Sequence, residues 1–191
     1  GARPFPLVLD TGASFSTVTP LLARELGVRV RATKRSPYRR ATRLGRDLQF
    51  RVDVRHGDVA SRTGREFGLL GGNFLVEYVV EIDFPRRRVS FLDPAHYTVP
   101  EQTSDPGETV VPLSLVSNRP IVEVEIEGNP VKVLLDTGAS YGVLIGGSVA
   151  RAAGLESQSA AGLSAVGVMG EIGVEFSEAE KVRVGSLEFS D

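Results

Sequence analysis

The sequence predicts an all-β fold built from two similar lobes, each carrying one short helix. The pentapeptide Asp-Thr-Gly-Ala-Ser occurs twice, at 10–14 and at 136–140, an offset of 126 residues. Average residue usage makes one chance copy of a given pentamer roughly a one-in-a-million event per position. The likeness extends beyond the pentamer. Pro4 aligns with Pro130, Leu9 with Leu135, Val18 with Leu144 and Ala23 with Val149, and after one inserted residue Leu26-Gly27-Val28 meets Ala153-Gly154-Leu155. The other two observations are short alternating apolar runs and frequent Gly and Pro between them, which favour strands joined by turns.

Each element follows from local pattern. An apolar run precedes each pentapeptide (Leu7-Val8-Leu9; Val133-Leu134-Leu135) and an aromatic follows (Phe15; Tyr141). Thr19 can cap a helix that Pro20 opens, with Leu22 and Leu26 on one face and Gly27 at its end; Ser148 to Gly154 is the counterpart. Leu48, Phe50, Val52 and Val54 alternate as a strand. Tyr78, Val80, Ile82 and Phe84 do the same, and after Pro85-Arg86-Arg87-Arg88 the chain returns as Val89 to Leu92. Val122, Val124 and Ile126 form one strand face opposite Glu123, Glu125 and Glu127, with a turn at Gly128-Asn129-Pro130. Val182 and Val184, the turn Gly185-Ser186, then Leu187 and Phe189 give a last hairpin.

The repeat also sets the domain boundaries. Residues 1–97 form the N-terminal lobe, 98–109 a Pro- and Gly-containing linker, and 110–191 the C-terminal lobe. Gly1 aligns with Glu127, so the first lobe lacks a copy of the strand at 121–127, and the second lobe stops before any copy of 68–75. The chain reads as trimmed at both ends. A net charge of −2 gives no global pull toward nucleic acid or membrane, and no stretch is apolar for long enough to span a bilayer. The absence of Cys excludes disulfides and thiolate chemistry. The basic run from Arg29 to Arg46 interleaves only Tyr38 as an aromatic and reads as a solvated face, or else as a patch that favours acidic substrates or lipid head groups.

Chemistry enters with the two Asp residues. A lone exposed Asp is ionised and weakly basic at neutral pH. Two carboxylates about 3 Å apart cannot both ionise and share a proton, so one acts as base toward a water while the other donates to a carbonyl. Gly12 and Gly138 let the turns close sharply, and the Thr11 and Thr137 hydroxyls can bond across to the opposite turn. Ala13 and Ala139 are small and bring no hydroxyl to the carboxylates. With fewer hydrogen bonds to the charged form, activity is expected at mildly acidic rather than strongly acidic pH.

At these residues the chain resembles a retropepsin-like aspartic protease of the bacterial single-chain type, with both Asp-Thr-Gly-Ala-Ser lobes in one polypeptide. The resemblance rests on the doubled pentapeptide, on Leu69-Leu70-Gly71 continuing as Gly72-Asn73-Phe74-Leu75, and on Ile82-Asp83-Phe84-Pro85. Many bacterial relatives have Asp where this chain has Asn73. The resemblance implies two pseudo-twofold-related acid-protease β-barrel lobes and an aspartic endopeptidase acting on a protein or peptide substrate. It implies Asp10 and Asp136 as the catalytic pair, with Thr11, Gly12, Ala13, Thr137, Gly138 and Ala139 supporting it. It also implies a substrate-covering flap, for which Gly162 to Glu171 is the best match, with Ala165, Val166, Gly167, Val168 and Met169 facing substrate. No metal or organic cofactor is implied. The chain would be a monomer with pseudo-twofold symmetry or a dimer by strand exchange; the residues leave the location open, and the family resemblance alone favours a periplasmic or otherwise exported one.

Other readings stay beside this one. The same cleft could belong to a non-catalytic peptide-binding pseudoprotease. A Ser nucleophile at Ser14 or Ser140 lacks a partner base in any motif around His56 or His96. The Gly-rich stretches 68–72 and 138–147 lack the Gly-Lys-Ser/Thr ending of a phosphate loop, and the His and acidic residues show no metal-ligand spacing.

Overall fold

The computed structural model describes residues 5–25, 38–40, 51–53, 68–101, 103–140, 142–156, 164–167 and 170–190. In chain order the elements are β1 (Val8–Leu9), β2 (Thr17–Val18), α1 (Pro20–Glu25), β3 (Tyr38–Arg40), β4 (Arg51–Asp53), β5 (Gly68–Leu70), α2 (Gly72–Leu75), β6 (Val79–Asp83) and β7 (Arg88–Leu92). A 3₁₀ turn at Pro94–His96 follows, then β8 (Leu113–Val116), β9 (Arg119–Ile126), β10 (Asn129–Leu134), α3 (Gly147–Ala152), β11 (Ser164–Gly167), β12 (Gly170–Gly173), β13 (Lys181–Val184) and β14 (Leu187–Ser190). The described residues are thus mostly strand and turn, and no helix among them is long and apolar enough to cross a membrane.

One sheet runs in the order β1-β5-β2-β4-β3. Its centre matters most. β5 lies between the two strands that flank the first Asp turn, parallel to β1 (Val8 opposite Leu69) and antiparallel to β2 (Thr17 opposite Leu69). Gly68 enters β5 at φ +154°, where a Cβ would overlap the carbonyl oxygen of Thr17, so only Gly fits. A second sheet runs β10-β9-β13-β14, with β8 also paired to β9. β6 with β7, and β11 with β12, are two-stranded hairpins.

By packing, the chain divides into two compact units. The first comprises Gly1–Val99, Ser114–Ile121 and Leu134–Ser140; the second comprises Pro100–Leu113, Val122–Val133 and Tyr141–Asp191. Both Asp-Thr-Gly-Ala-Ser turns fall in the first unit, so this partition follows packing rather than the repeat. The first unit buries Val18, Leu22, Ala23 and Leu75. The second buries Val122, Val124 and Ile126 of β9 with Val131 of β10, the alternation that the sequence shows. Each such Val or Ile contributes about 1.5–3 kcal/mol relative to an exposed position.

The helices partly follow expectation. Thr19 Oγ1 accepts from Leu22 N (3.3 Å), the cap that opens α1, whereas the expected end of that helix at Leu26 and Gly27 lies outside the described residues. α3 ends at Ala152, two residues before the expected Gly154. The expectation of one helix per lobe needs correction: residues 1–97 also hold α2, a single turn with no side-chain cap. So short an element leaves no helical periodicity in the sequence.

Candidate active site

The two pentapeptides form matching turns. After β1, Ala13 N donates both to the Asp10 carbonyl (3.3 Å) and to Asp10 Oδ1 (2.8 Å). After β10 and Leu135, Ala139 N donates to the Asp136 carbonyl (3.3 Å), and Gly138 N donates to Asp136 Oδ1 (2.8 Å). An Asp that binds backbone N–H groups two or three residues on stabilises a tight turn and fixes its own carboxylate.

Four reciprocal bonds join the turns. Thr11 N donates to Thr137 Oγ1 (3.1 Å) and Thr137 N to Thr11 Oγ1 (3.0 Å). Each hydroxyl passes its own proton on, Thr11 Oγ1 to the Leu135 carbonyl (2.6 Å) and Thr137 Oγ1 to the Leu9 carbonyl (2.7 Å). Every donor thus has a partner, and exchanging the two turns reproduces the same bonds. A Val at either position would keep the shape and lose both the donor and the acceptor.

This grip brings the carboxyl groups of Asp10 and Asp136 within hydrogen-bonding reach of each other. The glycines make room for them. A Cβ on Gly12 would overlap the Asp136 carboxyl, and one on Gly138 would lie 2.9 Å from Asp10 Cγ. Burial holds the Asp10 carboxyl above the ordinary carboxylate range, and the charge of Asp136 and a hydrogen bond to its side chain raise it further. Backbone N–H groups of Ala13 and Gly12 pull in the opposite direction. Burial and a like charge both disfavour the ionised form, so Asp10 retains a proton to a higher pH than an isolated Asp.

The segment that follows β5 secures the first turn. Asp10 N donates to the Leu70 carbonyl (3.0 Å), Gly72 N to the Ala13 carbonyl (2.7 Å) and Asn73 N to the Ser14 carbonyl (3.1 Å). Ser16, fully buried, accepts from Gly71 N at Oγ (3.0 Å), and its own N–H donates to Asn73 Oδ1. A Cβ on Gly71 would lie 2.7 Å from the Phe15 carbonyl carbon, so the strand exit and the turn are in close contact. Sequence reasoning singled out Asn73 only as a departure from a pattern and passed over Ser16. A Ser two residues beyond the pentapeptide was the available signal, but its partners lie 55 and 57 residues away.

A family model described as aspartyl protease matches residues 122–191. The match supports protease activity. It takes in the Asp136 turn and the β11–β12 hairpin, while Asp10 lies outside it. Comparison with curated proteins and with solved structures returned no match.

The remaining expected residues fall as follows. Ala165, Val166 and Gly167 belong to β11, which pairs antiparallel with β12 from Ser164 opposite Gly173 to Gly167 opposite Gly170. Val168 and Met169 lie outside the described residues, as does His56. His96 is exposed and bonds Asp93 at 3.2 Å. Among the described residues no group of three or more His, Asp or Glu could hold a metal ion.

Proposed function

We propose that this protein is an aspartic endopeptidase in which Asp10 and Asp136 activate a water against a peptide bond. The observation that carries the reading is the reciprocal Thr11–Thr137 bonding, which holds two carboxyl groups together while burial and the neighbouring charge keep a proton on the pair. Aspartic proteases are the standard case of two carboxyl groups sharing one proton. The ionised oxygen takes a proton from water as it attacks the scissile carbonyl, and the protonated partner donates to the carbonyl oxygen. The roles exchange as the amine leaves. The pair titrates as a unit, so the base is a property of the dyad rather than of one residue.

In this reading Thr11, Gly12, Ala13, Thr137, Gly138 and Ala139 are the supporting turns. Ala165 to Met169 form a flap over an extended peptide, and the two repeated sequences (1–97 and 110–191, joined by 98–109) are pseudo-twofold-related retropepsin-like lobes. The test is cleavage of an unstructured protein such as casein between pH 3 and 7 by the wild type and by Asp10→Asn and Asp136→Asn. Each single variant is expected to lose at least about a thousandfold in kcat, because neither carboxyl can replace the other in a coupled pair. Full cleavage by either variant would exclude the proposal.

A further inference from the structure

We infer that Asn73, acting through Ser16, is a positioning residue for Asp10. This rests on the proposed aspartic chemistry. Asp10 is held at two points. Its N–H is fixed to Leu70, and its carboxylate takes the Ala13 N–H at 2.8 Å. Ala13 is in turn fixed through its carbonyl to Gly72 N, and Ser14 through its carbonyl to Asn73 N. Ser16 closes the row: its Oγ takes Gly71 N, and its N–H ends on the Asn73 side-chain oxygen. Asn73 therefore grips the turn from both its backbone and its side chain, at the point where the chain from Asp10 enters β2. It does so with a neutral group. Asp136 is the one titratable group that acts on Asp10 among the described residues.

Two substitutions separate position from charge. Asn73→Asp keeps the Oδ1 acceptor but adds a negative charge beside the segment that holds Asp10. Asn73→Ala leaves a buried N–H on Ser16 without its partner. The measurements are thermal unfolding, kcat and KM against pH, and a carbon-detected NMR titration of the Asp10 carboxyl. Asn73→Ala is expected to melt lower and to lose about tenfold in kcat with KM nearly unchanged. Asn73→Asp is expected to recover most of the melting temperature. Its added charge should move the Asp10 titration, and the pH–rate profile with it, upward by about half a pH unit. An Asn73→Ala protein with wild-type kcat would overturn the inference, as would an Asn73→Asp protein that keeps the acceptor yet loses as much kcat as Asn73→Ala. Should Asn73→Ala fail to fold, Asn73→Ser, whose shorter side chain withdraws the acceptor from Ser16 N, carries the test with the same expected loss and the same contradicting result. Melting and titration can be read whether or not peptide is cut, so failure of the catalytic proposal would be seen separately.

Discussion

The same five residues sit in two different surroundings. Around the first turn, β5 lies between β1 and β2, Gly72 and Asn73 bond the turn itself, and Ser16 and Val18 are 0% and 1% exposed. At the offset positions in the second copy, Gly142 is exposed and Leu144 is 56% exposed. Ala139 and Ser140 are exposed too, whereas Ala13 and Ser14 are half-buried. Among the described residues no segment does for 136–140 what 70–73 does for 10–14. Yet both turns have the same Ala N–H bond to the Asp carbonyl and the same reciprocal Thr bonds. The pentapeptide dictates the local turn and the grip between copies. A distant segment bonds the first turn, and burial is the largest influence on the proton affinity of Asp10.

The largest effect expected from this contrast is at the glycines. Gly12→Ala places a Cβ on the Asp136 carboxyl and Gly138→Ala places one 2.9 Å from Asp10 Cγ, so both should displace a reacting group. A displacement of about 1 Å costs on the order of a hundredfold in rate. Gly12→Ala should lose more in kcat than Gly138→Ala, because its overlap is deeper and its turn is packed against Gly71 and Gly72. Equal losses would show that the surroundings of the two turns do not matter to the chemistry.

A smaller effect is expected beside the turns. Val18→Ala removes buried methyl groups and should cost about 2 kcal/mol of stability, measured by denaturant unfolding. Leu144→Ala, at an exposed position, should stay within about 0.5 kcal/mol of the wild type. A large cost at Leu144 would mean that the second turn is covered in solution.

Much of this was legible in the sequence because it depends on near neighbours. The doubled pentapeptide announced both turns, and the Val122, Val124, Ile126 alternation announced which face of β9 is buried. The Thr19-Pro20 pair marked the start of α1. What escaped was non-local or too short to have a period. The Asn73–Ser16 bond joins residues 57 apart, and nothing near either one signals the other. α2 is one turn long. The turn at Ser117-Asn118 places both residues at positive φ (53° and 62°), a hairpin geometry more commonly marked by Asn-Gly, so it carried little sequence signal. Its position is tight as well, since a Cβ on Gly72 would overlap the Asn118 carbonyl.

The most direct measurement is the titration of the Asp10 carboxyl in the wild type and in Asp136→Asn. Asp10 should titrate above an ordinary Asp in the wild type, and its midpoint should fall when Asp136 becomes neutral, because both the charge and the hydrogen bond of Asp136 raise it. The same raised value has a sign for stability. The folded protein binds the Asp10 proton more tightly than the unfolded chain, so this contribution is complete below the unfolded pKa and is lost as pH rises through the folded one. An Asp10 midpoint that does not respond to Asp136→Asn would contradict the account, because the two carboxyl groups would then not share a site.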